Sequence, residues 1–301
     1  MTAAGTARGS NPGVPPWLVF LVVGLFVAAA VYILQRTPDR NARDRQAADL
    51  ANHDAAAHGG DGLSDRHDGY LLSPAGLPDR RGAAVPLTFR IIGPGGAPTT
   101  SYQPLLGVPL HLYVLREDLG HYQHLHPTLA GDTWTASISV PDGGVYRLYA
   151  EFVPINAAGS QHPTVLSLPF VIAGDTSNLP LPAPASTVDL GGLTVNRLEG
   201  TADAAAGRPG VMRFQVLDAN RAPVTTLEPY VGTYAHASVF DVATQRLIHL
   251  HPVAPANPHG APPDGVLTFH TEFPQRGRYR LFLQFKAAGA VHQAAFTVQA
   301  T

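Results

Sequence analysis

From residue 68 onward, short runs rich in Val, Leu, Tyr, Phe and Thr are separated by Gly, Pro, Asp or Asn roughly every dozen residues. VPLTFRIIG (85–93) and GVMRFQVLD (210–218) are examples. Such runs, bounded by turn residues, predict β-strands rather than helices. One series fills residues 68–174 and a second fills 188–300, joined by a Pro-rich linker at 175–187. The pattern predicts an all-β chain with two tandem β-sandwiches.

The two series are an internal repeat. When the first series is aligned with the second at an offset of 125 positions, several Gly and His residues coincide. After an insertion of eight residues in the second series, the alignment continues at an offset of 133 in the segment P-x-x-G-x-Y-R-L. That segment places Tyr146 and Tyr279 where sandwiches often have a tyrosine corner. The main identities at the first offset are Gly107/Gly232, His111/His236, His124/His249 and His126/His251. We call residues 68–174 the first repeat and 188–300 the second repeat.

An apolar run, WLVFLVVGLFVAAAVYIL, occupies residues 17–34 behind a short polar tail at 1–16. At ~1.5 Å per residue, a helix of this length just spans a hydrocarbon core of ~30 Å. The alternative is a cleaved signal peptide, because Ala28–Ala30 offers an A-x-A site. We favour an uncleaved signal anchor, because the chain stays apolar through Val31–Leu34.

The orientation of this predicted helix rests on two conflicting signals. Arg36, Arg40, Arg43 and Arg45 follow the helix, and a Lys/Arg count alone would place that side in the cytoplasm. The large β-rich portion without cysteine is instead typical of an exported protein. We interpret the bulk of the chain as extracytoplasmic, in the periplasm or at the cell surface.

Residues 35–67 are polar and lack periodicity, which predicts a flexible linker. They contain His53, His58 and His67 among several aspartates. Flexible imidazoles and carboxylates can collect divalent ions weakly. A solvated spacer explains the same composition, so these histidines are the weaker metal candidates.

The motif H-x12-H-x-H-P occurs once in each repeat. Residues two apart on a strand share a face, so the two histidines of each H-x-H point the same way. A hairpin turning near Glu117–Gly120 would bring His111 opposite His124 or His126. Three neutral imidazoles on a rigid sheet suit Cu(II) or Zn(II). The pattern predicts one triad per repeat, formed by His111, His124 and His126 and by His236, His249 and His251.

His292, on the last predicted strand, is either a fourth ligand or a buried, hydrogen-bonded histidine. The other histidines lie in loops or have no counterpart in the other repeat. Histidines on an outer strand face can also be merely solvated, and duplication copies accidental residues together with useful ones. The metal interpretation therefore rests on the repeated spacing.

Composition excludes several other functions. The chain has 301 residues, no cysteine, two methionines and a formal net charge of -2. Thiolate chemistry, iron–sulfur clusters and a thioether copper(I) site are excluded, and no nucleic-acid partner is expected. Phosphate-loop, serine-hydrolase and H-E-x-x-H motifs are absent, so we expect no enzyme. A copper oxidoreductase fits the ligand type, but the residues around the histidines do not match one.

The segments HLYVLREDLGHYQHLHP (111–127), HLHP (249–252) and GRYRLFLQFKAAGAVHQAAFTV (277–298) resemble a family of uncharacterised, secreted or membrane-anchored bacterial proteins with HLHP motifs. The resemblance covers roughly residues 85–300. It implies tandem immunoglobulin- or cupredoxin-like sandwiches and an association with copper or another heavy metal. The segment AHASVFDV (235–242) replaces the longer Gly-His-Leu-Val type strand of the family, so the resemblance implies an altered second site.

The leading hypothesis is a membrane-anchored, extracytoplasmic protein that buffers or delivers Cu(II) or Zn(II). The alternative is an immunoglobulin-like interaction or scaffold module of a membrane protein complex, in which the histidines bind no metal. The two hypotheses differ in whether the imidazoles converge on a common point.

Overall fold

The computed structural model describes residues 62–156, 159–160, 163–253, 262 and 264–301, with the backbone alone at 159–160, 249 and 251. Within these ranges the chain forms strands, turns and bridges and no helix, so the predicted all-β fold is confirmed. No helix in this part is long and apolar enough to cross a membrane. The predicted membrane helix at 17–34, the tail before it and residues 35–61 lie outside the described ranges.

The first repeat contains two facing sheets. Its strands are, in chain order, β1 (Arg66–His67), β2 (Tyr70–Gly76), β3 (Gly82–Ile92), β4 (Tyr102–Gln103), β5 (Leu110–Arg116), β6 (Gln123–Leu125), β7 (Thr128–Ala130), β8 (Thr133–Val140), β9 (Gly144–Asn156), β10 (Gly159–Ser160) and β11 (Thr164–Ile172). One sheet has the order β1-β2-β3-β8-β7. The other has the order β10-β9-β5-β6, and β4 and β11 also pair with β9.

Alternate residues of these strands form the core of the first repeat. Leu87, Phe89 and Ile91 of β3 are fully buried and belong to the same apolar cluster as Leu110 and Leu112 of β5. Because side chains alternate between the faces of a strand, this spacing directs one face of each sheet into the space between them. The first repeat is therefore a β-sandwich.

The second repeat is a continuous sheet that encloses its own core. Its strands are β12 (Thr187–Asp189), β13 (Leu193–Arg197), β14 (Pro209–Asp218), β15 (Ala235–Asp241), β16 (Leu247–Pro252), β17 (Val266–Glu272), β18 (Gly277–Ala287) and β19 (Ala290–Ala300). The order is β12-β13-β14-β17-β16-β15-β18-β19. Strand β16 joins the two halves, because its first part pairs with β15 and its end pairs with β17. Phe214 and Phe269 of one half share a cluster with Leu281 and Phe285 of the other.

Both predicted tyrosine corners are present. The hydroxyl of Tyr146 donates to the carbonyl of Asp142 at 3.1 Å, and that of Tyr279 donates to the carbonyl of Gln275 at 2.6 Å. Each bond reaches four residues back along the chain and satisfies a polar group whose ring is buried. The segment P-x-x-G-x-Y-R-L thus has the same structural role in both repeats.

The two repeats pack against each other through a third apolar cluster. All seven residues of β5 and all seven of β15 are buried, so neither strand keeps a solvated face. The ring of Tyr122 stacks on that of Phe282 with centroids 4.0 Å apart. The cluster, which we call the inter-repeat cluster, comprises Tyr113, Leu115, Leu119, Tyr122, Tyr149, Val165, Phe240, Leu247 and Phe282. Because both strands are buried on both sides, the face that carries the histidines is an interior surface. Fully burying each large apolar side chain of this cluster contributes about 1.5–3 kcal/mol to stability.

Candidate metal centre

The predicted hairpin brings the first repeat's histidines together. Strands β5 and β6 pair antiparallel, with Tyr113 opposite His124 and Leu112 opposite Leu125. The backbone N–H of Arg116 donates to the carbonyl of Gly120, which closes the turn between the strands. Residues that lie opposite each other share a face, so His111, Tyr113 and His124 all point away from the first sandwich core. The hairpin prediction is confirmed.

His236 approaches the same point from the second repeat. It lies on β15 opposite Gln284 of β18, just as His111 on β5 lies opposite Glu151 of β9. The ring centroid of His236 is 5.6 Å from that of His111 and 5.4 Å from that of His124. The repeat-equivalent residues His111 and His236 therefore meet where the two repeats contact each other.

His111, His124 and His236 form a buried cluster, which we call the histidine cluster. Each offers one ring nitrogen, and these nitrogens all lie within 4.8 Å of one another. Nδ1 of His111 is 2.9 Å from Nε2 of His124. The exposed fractions of the three residues are 0%, 7% and 4%, so bulk water does not separate the rings.

Two backbone turns fix the proton on two of these rings. Nε2 of His111 lies 2.9 Å from the carbonyl oxygen of Leu105, and Nε2 of His236 lies 3.1 Å from that of Tyr230. A carbonyl can only accept, so Nε2 carries the proton in both rings and Nδ1 carries the lone pair. Histidine ligands of metals are commonly oriented by such outer hydrogen bonds. The same arrangement, six residues apart along the chain, occurs in both repeats.

The turns that supply these carbonyls touch each other. In each, the two central residues have positive φ: 48° at Leu106 and 92° at Gly107, and 49° at Val231 and 75° at Gly232. This is the type I′ pattern of a tight hairpin, and positive φ is a strained conformation for Leu and especially for Val. A Cβ at Gly232 would lie 3.0 Å from the carbonyl oxygen of Leu106. The close approach of the two turns therefore requires glycine.

The second nitrogen of His124 contacts the other repeat. Its Nδ1 is 2.9 Å from Oε1 of Gln284, a residue only 7% exposed. Nε2 of Gln284 donates to Oε1 of Gln293 at 2.9 Å, and the hydroxyl of Tyr230 donates to Oε1 of Gln284 at 3.4 Å. His124 is thus held between His111 of its own repeat and an amide of the second repeat.

His126 lies beside the cluster and is half-buried. Its ring centroid is 4.8 Å from that of His124 and 5.2 Å from that of His111. Its Nε2 is buried and has no hydrogen-bond partner among the described residues. A buried polar atom without a partner is uncommon and is often a site for water or an ion. His126 therefore adjoins the histidine cluster, whose three convergent nitrogens belong to His111, His124 and His236.

Burial keeps the imidazoles of His124 and His126 neutral. It lowers the pKa of His124 well below its usual value, and the neighbouring rings of His111, His236 and His126 lower it further. Burial also lowers the pKa of His126 to about 4, with an added contribution from His111. A neutral imidazole has a lone pair for a metal ion, so the lowered values favour coordination at neutral pH.

The cluster differs from the predicted pair of separate triads. The prediction assigned His236 to a site within the second repeat, whereas the structure places it against His111 and His124. The sequence did not predict this contact between the repeats. Alternation along a strand shows which residues share a face, but it does not show what covers that face. The backbones of His249 and His251 lie in β16, opposite Ser238 and His270, and their side chains are outside the description.

The weaker candidates lie elsewhere or outside the description. Nε2 of His292 donates to the carbonyl of Ala287 at 3.2 Å, and its ring stacks on Phe285, which fits a hydrogen-bonded histidine. His67 is partly exposed and lies 3.3 Å from Asp68. His53 and His58 fall outside the described residues.

Sequence reasoning missed Gln284, the carbonyls of Leu105 and Tyr230, and the pair of Tyr113 and Glu151. Tyr113 stacks on His124 with centroids 4.7 Å apart and donates to Oε2 of Glu151 at 2.8 Å. Burial raises the pKa of Tyr113 well above its usual value, so the phenol remains the donor. The offset of 133 positions already aligned Glu151 with Gln284, and two polar residues at one buried position were the available signal.

Comparison with known families gives one match that covers most of the chain. Residues 66–165 and 186–301 match the family model described as a domain of unknown function, DUF8832. No curated protein matches the sequence significantly.

Three of the solved structures that the chain is similar to are distant likenesses. A DUF4426 family protein from Pseudomonas aeruginosa is 15% identical over 38% of this chain and 94% of that chain, with a TM-score of 0.26. Domains 4 and 5 of the S-layer protein SbsC are 9% identical over 77% and 97%, with a TM-score of 0.22. A chimeric titin Z1Z2 tandem is 13% identical over 76% and 97%, with a TM-score of 0.18. TM-scores this low carry no argument about function.

The contact between the turns predicts a difference between two glycine substitutions. Gly232 and Gly191 have φ of 75° and 72°, but nothing lies within 4 Å of a Cβ at Gly191. Both Gly→Ala changes carry the strain of positive φ, and only Gly232→Ala also pushes against Leu106. We expect Gly232→Ala to lower the free energy of unfolding by about 1–2 kcal/mol more than Gly191→Ala, measured by urea denaturation. Equal losses would contradict the contact.

The lowered histidine pKa values predict loss of stability on acidification. An unfolded histidine has a pKa of ~6.5, so below that pH the unfolded chain binds protons that His124 and His126 do not bind when folded. The contribution of these two histidines to the free energy of unfolding is fully present above pH ~6.5. It is lost as the pH falls from there toward their lowered pKa values in the folded protein. We expect the melting temperature of metal-free protein to fall between pH 7.5 and 5. His124→Gln should flatten this profile, whereas the control His67→Gln should leave it unchanged. A flat wild-type profile would contradict the neutral cluster.

Proposed function

The chain belongs to the DUF8832 family, and we propose that it binds a divalent transition-metal ion, Cu(II) or Zn(II), between its two repeats. The ligands are His111, His124 and His236, with His126 as a fourth donor. The observation that carries the proposal is the convergence of three buried ring nitrogens within 4.8 Å of one another.

The geometry of the cluster is compatible with coordination. In the square arrangement that Cu(II) favours, two nitrogen ligands about 2.05 Å from the ion and about 90° apart lie about 2.9 Å from each other, and in the tetrahedral arrangement of Zn(II) they lie about 3.3 Å apart. Nδ1 of His111 and Nε2 of His124 have this separation. Ligands on opposite sides of an ion lie about 4.1 Å apart, so the third ring needs to move inward for all three nitrogens to reach one ion.

The donor set suits Cu(II) or Zn(II) in a binding role. Imidazole nitrogen is the ligand that both ions accept, and neutral rings in a buried site need no proton release at neutral pH. The backbone carbonyls that orient His111 and His236 supply the outer shell that such ligands require. We assign the chain a role in buffering or delivering the ion and no catalytic activity. This role also agrees with the copper association that the HLHP resemblance implies for tandem immunoglobulin- or cupredoxin-like sandwiches.

We place the metal-binding portion outside the cytoplasm, anchored by a helix at 17–34. The apolar run at 17–34 is long enough to span a membrane, and the β-rich portion of the chain then lies on one side of it. The absence of cysteine from a chain of 301 residues suits an oxidising compartment, because no thiol is exposed to oxidation. The site then receives its ion from the periplasm or the cell surface.

A shared site predicts that one substitution in the second repeat removes the ion from the first. We expect His236→Ala to weaken Cu(II) and Zn(II) binding by at least about 100-fold, because one of three ligands is lost. His292→Ala is the matched control, since His292 lies on the same repeat outside the cluster. Binding is measured by calorimetry on the full chain, which should hold one ion per chain at this site. Unchanged binding to His236→Ala would contradict the shared site, and absence of binding to the wild type would leave the cluster a purely structural contact.

The proposed location predicts sensitivity to external protease. Protease added to intact cells, after removal of any outer membrane, should cleave the β-rich portion, and a tag on the N-terminal tail should remain protected. An N-terminal tag that is cleaved while the β-rich portion survives would reverse the orientation.

A further inference from the structure

Gln284 reaches the histidine cluster from outside the ligand set. It lies on β18 opposite His236, and its Oε1 is 2.9 Å from Nδ1 of His124, which belongs to the other repeat. It therefore contacts one ligand through its side chain and neighbours another through its backbone.

The amide of Gln284 has hydrogen-bond partners at both ends. The hydroxyl of Tyr230 donates to its Oε1 at 3.4 Å. The amide nitrogen donates to Oε1 of Gln293, its pairing partner on β19. With the oxygen facing His124, the bond between them needs a proton on Nδ1 of His124.

This proton assignment sets the lone pairs of the cluster. Nε2 of His111 is protonated because it faces the carbonyl of Leu105, and its Nδ1 therefore carries a lone pair. With the proton of His124 on Nδ1, its Nε2 also carries a lone pair. These two lone pairs then face each other across 2.9 Å, which is repulsive without a cation and favourable around one.

We propose that Gln284 is a positioning residue that holds His124 in the Nδ1-protonated form and so keeps its Nε2 available for the ion. This inference rests on the proposed metal site. Without the amide oxygen, His124 can move its proton to Nε2 and donate to Nδ1 of His111. In that bond Nε2 of His124 carries a proton and Nδ1 of His111 accepts it, so neither nitrogen has a lone pair left for a metal ion.

The first repeat has a carboxylate where the second repeat has the amide of Gln284. Glu151 occupies the position equivalent to Gln284, and it accepts a hydrogen bond from the hydroxyl of Tyr113. An amide next to His124 adds no charge to the site, whereas a carboxylate would raise the basicity of the ring and tighten binding. Gln284 therefore gives a site that binds its ion and can still release it, as buffering or delivery requires.

The test compares three variants of the full chain with the wild type. Gln284→Leu removes the acceptor, Gln284→Glu keeps an acceptor and adds charge, and Gln299→Leu is the control on β19, away from the cluster. Affinity for Cu(II) and for Zn(II) is measured by competition with a chelator. Nitrogen-15 NMR of the histidine rings, in metal-free protein, shows which nitrogen of His124 carries the proton.

We expect Gln284→Leu to weaken binding of both ions by about 10–100-fold, the usual effect of losing an outer-shell partner. Gln284→Glu should bind at least as tightly as the wild type, and Gln299→Leu should match it. The NMR signals should show the proton of His124 on Nδ1 in the wild type and on Nε2 in Gln284→Leu. A structural role alone would change stability without moving this proton.

Two results would overturn the inference while leaving the metal site intact: equal affinity of Gln284→Leu and the wild type, or a wild-type His124 protonated on Nε2. Failure of all four proteins to bind either ion would overturn the proposed function, and the inference with it.

Discussion

The burial of β5 and β15 against each other is the constraint on which the remaining structure depends. Each strand already has one face in the core of its own sandwich, so packing the second face against the other repeat removes both from water. Imidazoles on such a face cannot rely on solvent, because a buried polar group without a partner costs free energy. The turn carbonyls and the amide of Gln284 supply one nitrogen of each ring with the partner that water would otherwise provide.

The backbone turns connect the fold to the chemistry of the cluster. Leu105 and Tyr230 can present their carbonyls to the histidines only because the residues after them accept positive φ. The two turns can approach each other this closely because Gly232 has no side chain at the contact, where a Cβ would lie 3.0 Å from the carbonyl oxygen of Leu106. Strain of this kind is retained where the surrounding structure enforces it, which is often at a functional site. Here it determines which ring nitrogens carry protons.

The sequence predicted those features that local patterns determine. Alternating apolar residues gave the all-β class, Gly120 and its neighbours gave the β5–β6 hairpin, and Tyr146 and Tyr279 gave the tyrosine corners. The partners across the interface could not be predicted, because a period of two does not show what covers the second face of a strand. His236 was consequently assigned to a site of its own. The role of Gln284 escaped notice because its contact with His124 spans 160 residues.

Internal duplication explains how one repeated histidine motif gives a cluster with residues from both repeats. Residues close to the contact between similar repeats meet their own equivalents, so one histidine at this position becomes a facing pair, His111 and His236. The rest of the cluster is not symmetric. Tyr113 stacks on His124, whereas the equivalent residue Ser238 is small and accepts a hydrogen bond from Tyr122. Duplication alone would have supplied matching surroundings on both sides. Because the repeats have diverged at these positions, His124 has partners from both of them: Tyr113 of the first repeat and Gln284 of the second.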